Sequence, residues 1–134
     1  MQLIQYMRIS ALFMLLIGLM ACGDAPAQST SSVLDAAKFE QTINTAGAQL
    51  VDVRTPGEYS SGHIEKAINA DIYTDAFRQR MAQLDKNKPV LVYCASGVRS
   101  SNAARQLKQA GFTQVYDLRG GFNAWRSAGK KVVR

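Results

Sequence analysis

Val90-Leu91-Val92-Tyr93-Cys94-Ala95-Ser96-Gly97-Val98-Arg99-Ser100-Ser101 is the stretch whose reading decides the fold. Its first four residues form an unbroken apolar run after Asn87-Lys88-Pro89, the pattern of a short strand covered on both faces. A cysteine ends the run. A polar loop containing Gly97 follows, and Ala103, Ala104, Leu107 and Ala110 then recur at helical spacing, with Gly111 as the stop. Strand, loop and helix in that order place the Cys94 thiol where backbone N–H groups and a helix N-terminus converge. Both favour a thiolate.

Moving outward, the same alternation repeats on either side. Upstream, Asp35 can cap a helix with Ala36, Phe39, Ile43 and Ala46 on one face and Gly47 as its stop. Gln49–Val53 is expected as a strand, and Pro56 suits the first turn of a short helix after it. Ala67–Ala70 reads as a short strand, and Thr74 can cap a helix carrying Phe77, Met81 and Leu84. Downstream, Thr113–Asp117 reads as another strand. Gly120-Gly121 opens a helix with Phe122 and Trp125, and Lys131-Val132-Val133 is expected as an edge strand. Strands alternating with helices mean an α/β domain with a parallel sheet, and such sheets place their sites at the carboxyl ends of strands. Cys94 follows a strand directly.

The chain has 134 residues, room for one ordinary domain, and 47% of them are hydrophobic against 19% charged, so a packed core is expected. The net charge of +6 comes from scattered basic residues that no aromatics interleave. That is a solvated basic surface, favourable to a small anionic substrate and unlike a nucleic-acid face.

The first residues read as an address. One arginine, Arg8, precedes the apolar run Ile9–Met20, which is shorter than the ~20 residues of a spanning helix and has the order of a secretory signal peptide. It ends in Leu19-Met20-Ala21-Cys22-Gly23, which resembles the lipobox of bacterial lipoproteins. The expected division is a signal peptide over 1–21, a lipid-anchored flexible tether over 22–32, rich in small polar residues, and a domain over 33–134. The resemblance implies lipidation of Cys22 and a periplasm-facing protein. Gly23 in the place after the cysteine favours the outer membrane over the inner. The alternative is an ordinary signal peptide cleaved nearby, a soluble periplasmic product, and an incidental Cys22. Cys22 and Cys94 are the two cysteines. Acylation of the first leaves the second without a partner in a compartment where cysteines pair, so a lone thiol there is expected to have work to do.

His63 is the one histidine, and with one free cysteine it cannot supply a metal ligand set, so no metal or other cofactor is expected. A Cys94–His63 catalytic pair is conceivable; the favoured reading has His63 pinning its loop by hydrogen bonds. If Ala95, Ser96, Gly97, Val98, Arg99 and Ser100 curl around the sulfur, their N–H groups point at it, and the side chains of Ser96, Arg99 and Ser100 can donate to an anion. Loop length separates two chemistries. A cysteine phosphatase needs its arginine one place beyond Arg99, and that place holds Ser100. The smaller ring fits a tetrahedral dianion badly and suits a cysteine that carries one extra sulfur.

The segment is similar to the active-site loop of single-domain rhodanese-like sulfurtransferases. Val51-Asp52-Val53-Arg54-Thr55-Pro56-Gly57-Glu58-Tyr59-Ser60-Ser61-Gly62-His63-Ile64 is similar to that family's upstream signature. Gly111-Phe112 through Gly120-Gly121-Phe122-Asn123-Ala124-Trp125 is similar to its downstream one. The match runs from about Val33 to Val133, and Lys66 stands where the family usually has glycine. The resemblance implies a small parallel sheet with helices on both faces. It also implies an enzyme of thiosulfate sulfurtransferase type: sulfane sulfur passes from a small anionic donor to Cys94 as a persulfide, then to cyanide or a thiol. Arg99 and Ser100 become candidates for holding the donor's sulfonate. Asp52, Arg54, Glu58 and His63 become structural support, the first three as a polar cluster beneath the loop. A non-catalytic persulfide carrier or binding module remains the second class, and a cysteine phosphatase the third.

Overall fold

The computed structural model of the chain describes residues 30–134. The expected signal peptide, Cys22 and the first part of the tether lie outside the described residues.

The central strand is the apolar run itself. In chain order the elements are β1 (Thr30–Leu34), α1 (Ala36–Ile43), β2 (Gln49–Asp52), α2 (Pro56–Ser61), β3 (Ile68–Asn69), α3 (Asp75–Gln83), β4 (Val90–Tyr93), α4 (Val98–Gln109), β5 (Gln114–Leu118) and α5 (Gly121–Ser127). The sheet order is β1-β5-β4-β2-β3 with every neighbouring pair parallel. All four residues of β4 are fully buried. Their alternation feeds two cores. Val90, Val92 and Cys94 enter a layer with Phe77 of α3 and Ala103, Ala104 and Leu107 of α4. Leu91 and Tyr93 enter the opposite layer with Phe39 of α1 and Phe122 and Trp125 of α5. Fully burying side chains of this size contributes about 1.5–3 kcal/mol each, so β4 anchors the domain. The fold is an α/β sandwich, a five-stranded parallel sheet flanked by helices.

The helix starts are made locally. The Asp35 carboxylate accepts from the Lys38 N–H at 2.8 Å. Thr55 and Glu58 form a reciprocal capping box, and the Thr74 hydroxyl accepts from the Ala76 N–H.

Three expectations need correction. The domain starts earlier than Val33: Thr30–Leu34 pairs in register along Gln114–Leu118, so the last tether residues belong to the sheet. Helix α1 stops at Ile43 with Asn44 as its cap, and Ala46 is exposed beyond it. Lys131–Val133 adds no strand to the sheet. Val133 instead exchanges two backbone hydrogen bonds with His63, of 2.9 and 3.0 Å, in an isolated antiparallel bridge. Lys66 has φ +71°, alone among the described non-glycine residues in having positive φ, which gives a physical reason for glycine there.

Candidate active site

Cys94 leaves the carboxyl end of β4 and is 1% exposed. The chain then bends through Ala95 and Ser96 to Gly97, whose φ of +106° a side chain would resist. Gly97 is the N-cap of α4 and offers no side chain to the first-turn N–H groups, so they stay available for the sulfur. The Gly97 N–H donates to Cys94 Sγ at 3.0 Å, and the Ser100 hydroxyl lies 3.4 Å from the same atom. Burial pushes the thiol pKa up. The Ser100 hydroxyl and the N–H groups of Ser100, Gly97 and Ser96 outweigh it, and the net shift is downward. The first turn of α4 adds its positive end.

The loop is turned this way from behind. The N–H groups of Phe122 and Asn123, at the start of α5, donate to the carbonyls of Cys94 and Ala95 at 2.7 and 3.0 Å. Gly121 permits that approach: a Cβ there would meet the Cys94 oxygen at 2.5 Å and the Ala95 carbonyl at 2.7 Å. Carbonyls go to α5 and N–H groups to the sulfur.

The polar cluster beneath the loop is smaller than expected. Asp52 and Arg54 form a buried pair, with the Arg54 Nη2 2.6 Å from Asp52 Oδ2 and 2.7 Å from the Gly62 carbonyl. The Arg54 guanidinium lies over the Phe122 ring at 4.1 Å, which joins this pair to the α5 clamp. Burial opposes the Arg54 charge, but Asp52 more than offsets it and raises the pKa. Glu58 sits elsewhere. It caps α2 and takes both arms of the Arg99 guanidinium, at 2.8 and 2.7 Å. The Arg99 hydrogen bonds hold the Glu58 carboxyl down to about 2, against desolvation.

Two expected donors to an anionic ligand are thus already engaged. The fork of Arg99 faces Glu58, and Ser100 is fully buried against the sulfur. Ser96 and Val98 are exposed at the mouth. Val98 separates two cavities, one of about 310 Å³ lined by Tyr73, Arg99 and Arg105, the other of about 480 Å³ lined by Val33, Asp117 and Arg119. His63 is not brought to the cysteine. Its ring stacks on Tyr59 with centroids 3.7 Å apart, and its Nδ1 is 3.1 Å from the Tyr59 carbonyl. Among the described residues no group of three His, Cys, Asp or Glu gathers as a metal site.

Gly121 is a participant that sequence reasoning passed over. The Gly-Gly pair at 120–121 reads only as a helix start. Its role depends on what the fold brings against it.

A parallel α/β domain with a cysteine sulfur cradled between a central strand and a helix N-terminus defines a class of cysteine-based group-transfer and binding domains. Within it, the chain belongs to the rhodanese-like domain family, whose model matches residues 35–128. It is 44% identical over 78 residues to the uncharacterized protein YqhL of Bacillus subtilis, covering 58% of this chain and 60% of that protein. It is 36% identical over 88 residues to the thiosulfate sulfurtransferase GlpE of Shewanella oneidensis, covering 66% of this chain and 85% of that enzyme. A rhodanese-related protein of Thermoplasma volcanium has the same fold, with a TM-score of 0.67 and 33% identity over 75% of this chain and 96% of that one.

Proposed function

We propose that the protein is a thiosulfate-type sulfurtransferase working through a Cys94 persulfide. The observation that carries this is the cradle: N–H groups and one hydroxyl converge on a buried, free sulfur with its pKa lowered. The Cys94 thiolate attacks the sulfane sulfur of the donor, forming a new S–S bond. The donor's own S–S bond breaks, its electron pair leaving on sulfite. The persulfide anion occupies the cradle that held the thiolate, stabilised by the same donors. Cyanide or a thiolate then takes the outer sulfur, and the electron pair returns to Sγ. Neither step needs a proton, so neither asks for an acid or base side chain at the sulfur. The small ring fits one added sulfur, and a donor's sulfonate must compete with Glu58 for Arg99.

The test is thiocyanate formation from thiosulfate and cyanide by wild type and Cys94→Ser. Activity in the first and none in the second is expected. Equal rates would sink the assignment, and no turnover with a persulfide still detectable would make the protein a carrier. We further propose, from the N-terminal pattern alone, that Cys22 is acylated and the domain faces the periplasm. Cys22→Ala should then release the protein to the soluble fraction, and a wild type already soluble would contradict the anchor.

A further inference from the structure

The cavity of about 310 Å³ beside Val98 has two walls that the fold holds rigid. One is the turn after β3. The Tyr73 N–H donates to Asp71 Oδ1 at 3.0 Å, and the N–H and hydroxyl of Thr74 donate to the Asp71 carbonyl at 3.1 and 3.0 Å. Asp71 is buried and Ile72 packs against the core, so the turn is fixed from beneath. Tyr73 is still 76% exposed. The other wall is one face of α4, where Val98, Asn102 and Arg105 follow at helical spacing. Val98 is 77% exposed. Two large side chains, each on a fixed element, thus stand in solvent at one cavity.

The lining is basic. Arg99 and Arg105 contribute to it and no carboxylate does, whereas the neighbouring cavity sets Asp117 beside Arg119. Glu58 already holds Arg99. Arg105 has no acid: its Nη2 donates to Asn102 Oδ1 at 3.0 Å, a neutral oxygen, and among the described residues no carboxylate pairs with it. That bond folds the side chain back toward the N-terminus of α4, the end where the Ser100 hydroxyl meets Cys94 Sγ. An unneutralised charge is therefore turned toward the mouth. The volume lies at the small end of the roughly 300–1,000 Å³ of small-molecule sites. In a two-step transfer the donor has left as sulfite before the acceptor arrives, so the mouth is free to take a second anion.

We propose that this cavity is the acceptor subsite for a small thiol that carries a carboxylate: Arg105 binds the carboxylate, and Tyr73 and Val98 cover the carbon skeleton. The acceptor gives its thiol proton to water. Its sulfur then forms a bond to the outer sulfur of the Cys94 persulfide, the Sγ–S bond breaks, and the electron pair returns to Sγ. The inference deepens the sulfurtransferase reading and rests on it.

S-methylglutathione tests the subsite without turnover: its capped sulfur accepts nothing, so the result stands whether or not sulfur transfer is found. Titration followed by amide NMR should shift Tyr73, Val98 and Arg105. The diethyl ester of the same probe, stripped of its carboxylates, should bind about fivefold more weakly, the worth of one exposed ion pair. Arg105→Gln should weaken the acid by that factor and bind acid and ester equally. Tyr73→Ser should weaken both alike. Both side chains are exposed, so these variants keep the fold. In protein preloaded with sulfur, discharge by glutathione should show the Arg105→Gln loss in KM rather than in kcat. No binding of S-methylglutathione, shifts confined to other residues, equal binding of acid and ester by wild type, or a glutathione KM that Arg105→Gln leaves unmoved would each overturn the proposal.

Discussion

Asp52–Arg54 and Glu58–Arg99 are both carboxylate–guanidinium pairs next to one loop, but they stand in different surroundings. The first is 0% and 4% exposed, bonds the Gly62 carbonyl and supports the ring of Phe122. The second is 34% exposed at Glu58 and 19% at Arg99, and spans the mouth of the site. A pair in the floor of a site cannot open without leaving a buried charge. A pair at the rim can exchange one partner for an anion at little loss, because water already screens it. The same chemistry serves as a fixed strut in one place and a displaceable latch in the other.

The largest effect that sharpens this contrast is on the floor. Arg54→Met strands Asp52 and should lower unfolding free energy by about 3–5 kcal/mol, read by urea denaturation. A loss as small as that of a rim variant would erase the distinction. Gly121→Ala comes next. Its Cβ would press on the Cys94 and Ala95 carbonyls, and φ is +61°. Overpacking predicts about 1–3 kcal/mol of lost stability, and the loop, pushed off α5, should also slow Cys94 alkylation at neutral pH.

Rim effects should be smaller on stability and visible in kinetics. Arg99→Ala should change stability by less than about 1 kcal/mol. It should raise the donor KM about tenfold with kcat little altered, the size of one charge-assisted bond to the sulfonate. An unchanged KM would make Arg99 a latch with no ligand. The smallest effect is in acid. The Arg99 bonds hold Glu58 down to about 2 from 4.5, so its contribution is full above the unfolded value and disappears as pH falls through the folded one. Between about pH 5 and pH 2 wild type should therefore lose slightly more stability than Glu58→Gln. Parallel losses would show that the pair contributes nothing.

What could be read in the sequence follows from how local each cause is. The run Val90–Tyr93, Gly97, the caps at Asp35 and Thr74 and Pro56 in a first turn act within a few residues, and their consequences were legible. Strand β1 was hidden because Thr30-Ser31-Ser32 sits at the sheet edge, where small polar residues suffice and read as tether. Glu58 and Arg99 are 41 positions apart, and nothing in either segment says that they meet. Gly121 became meaningful only when α5 was set against the loop. Local chemistry singled out Cys94 as the candidate; the hydrogen-bond donors around its sulfur came from the fold.

The most direct measurement is the mass of the Cys94 peptide after the protein is treated with thiosulfate and then with cyanide. The expected result is a gain of one sulfur atom on Cys94 after the first step and its loss after the second. A Cys94 peptide that stays unmodified, in protein whose thiol still reacts with an alkylating agent, would contradict the persulfide.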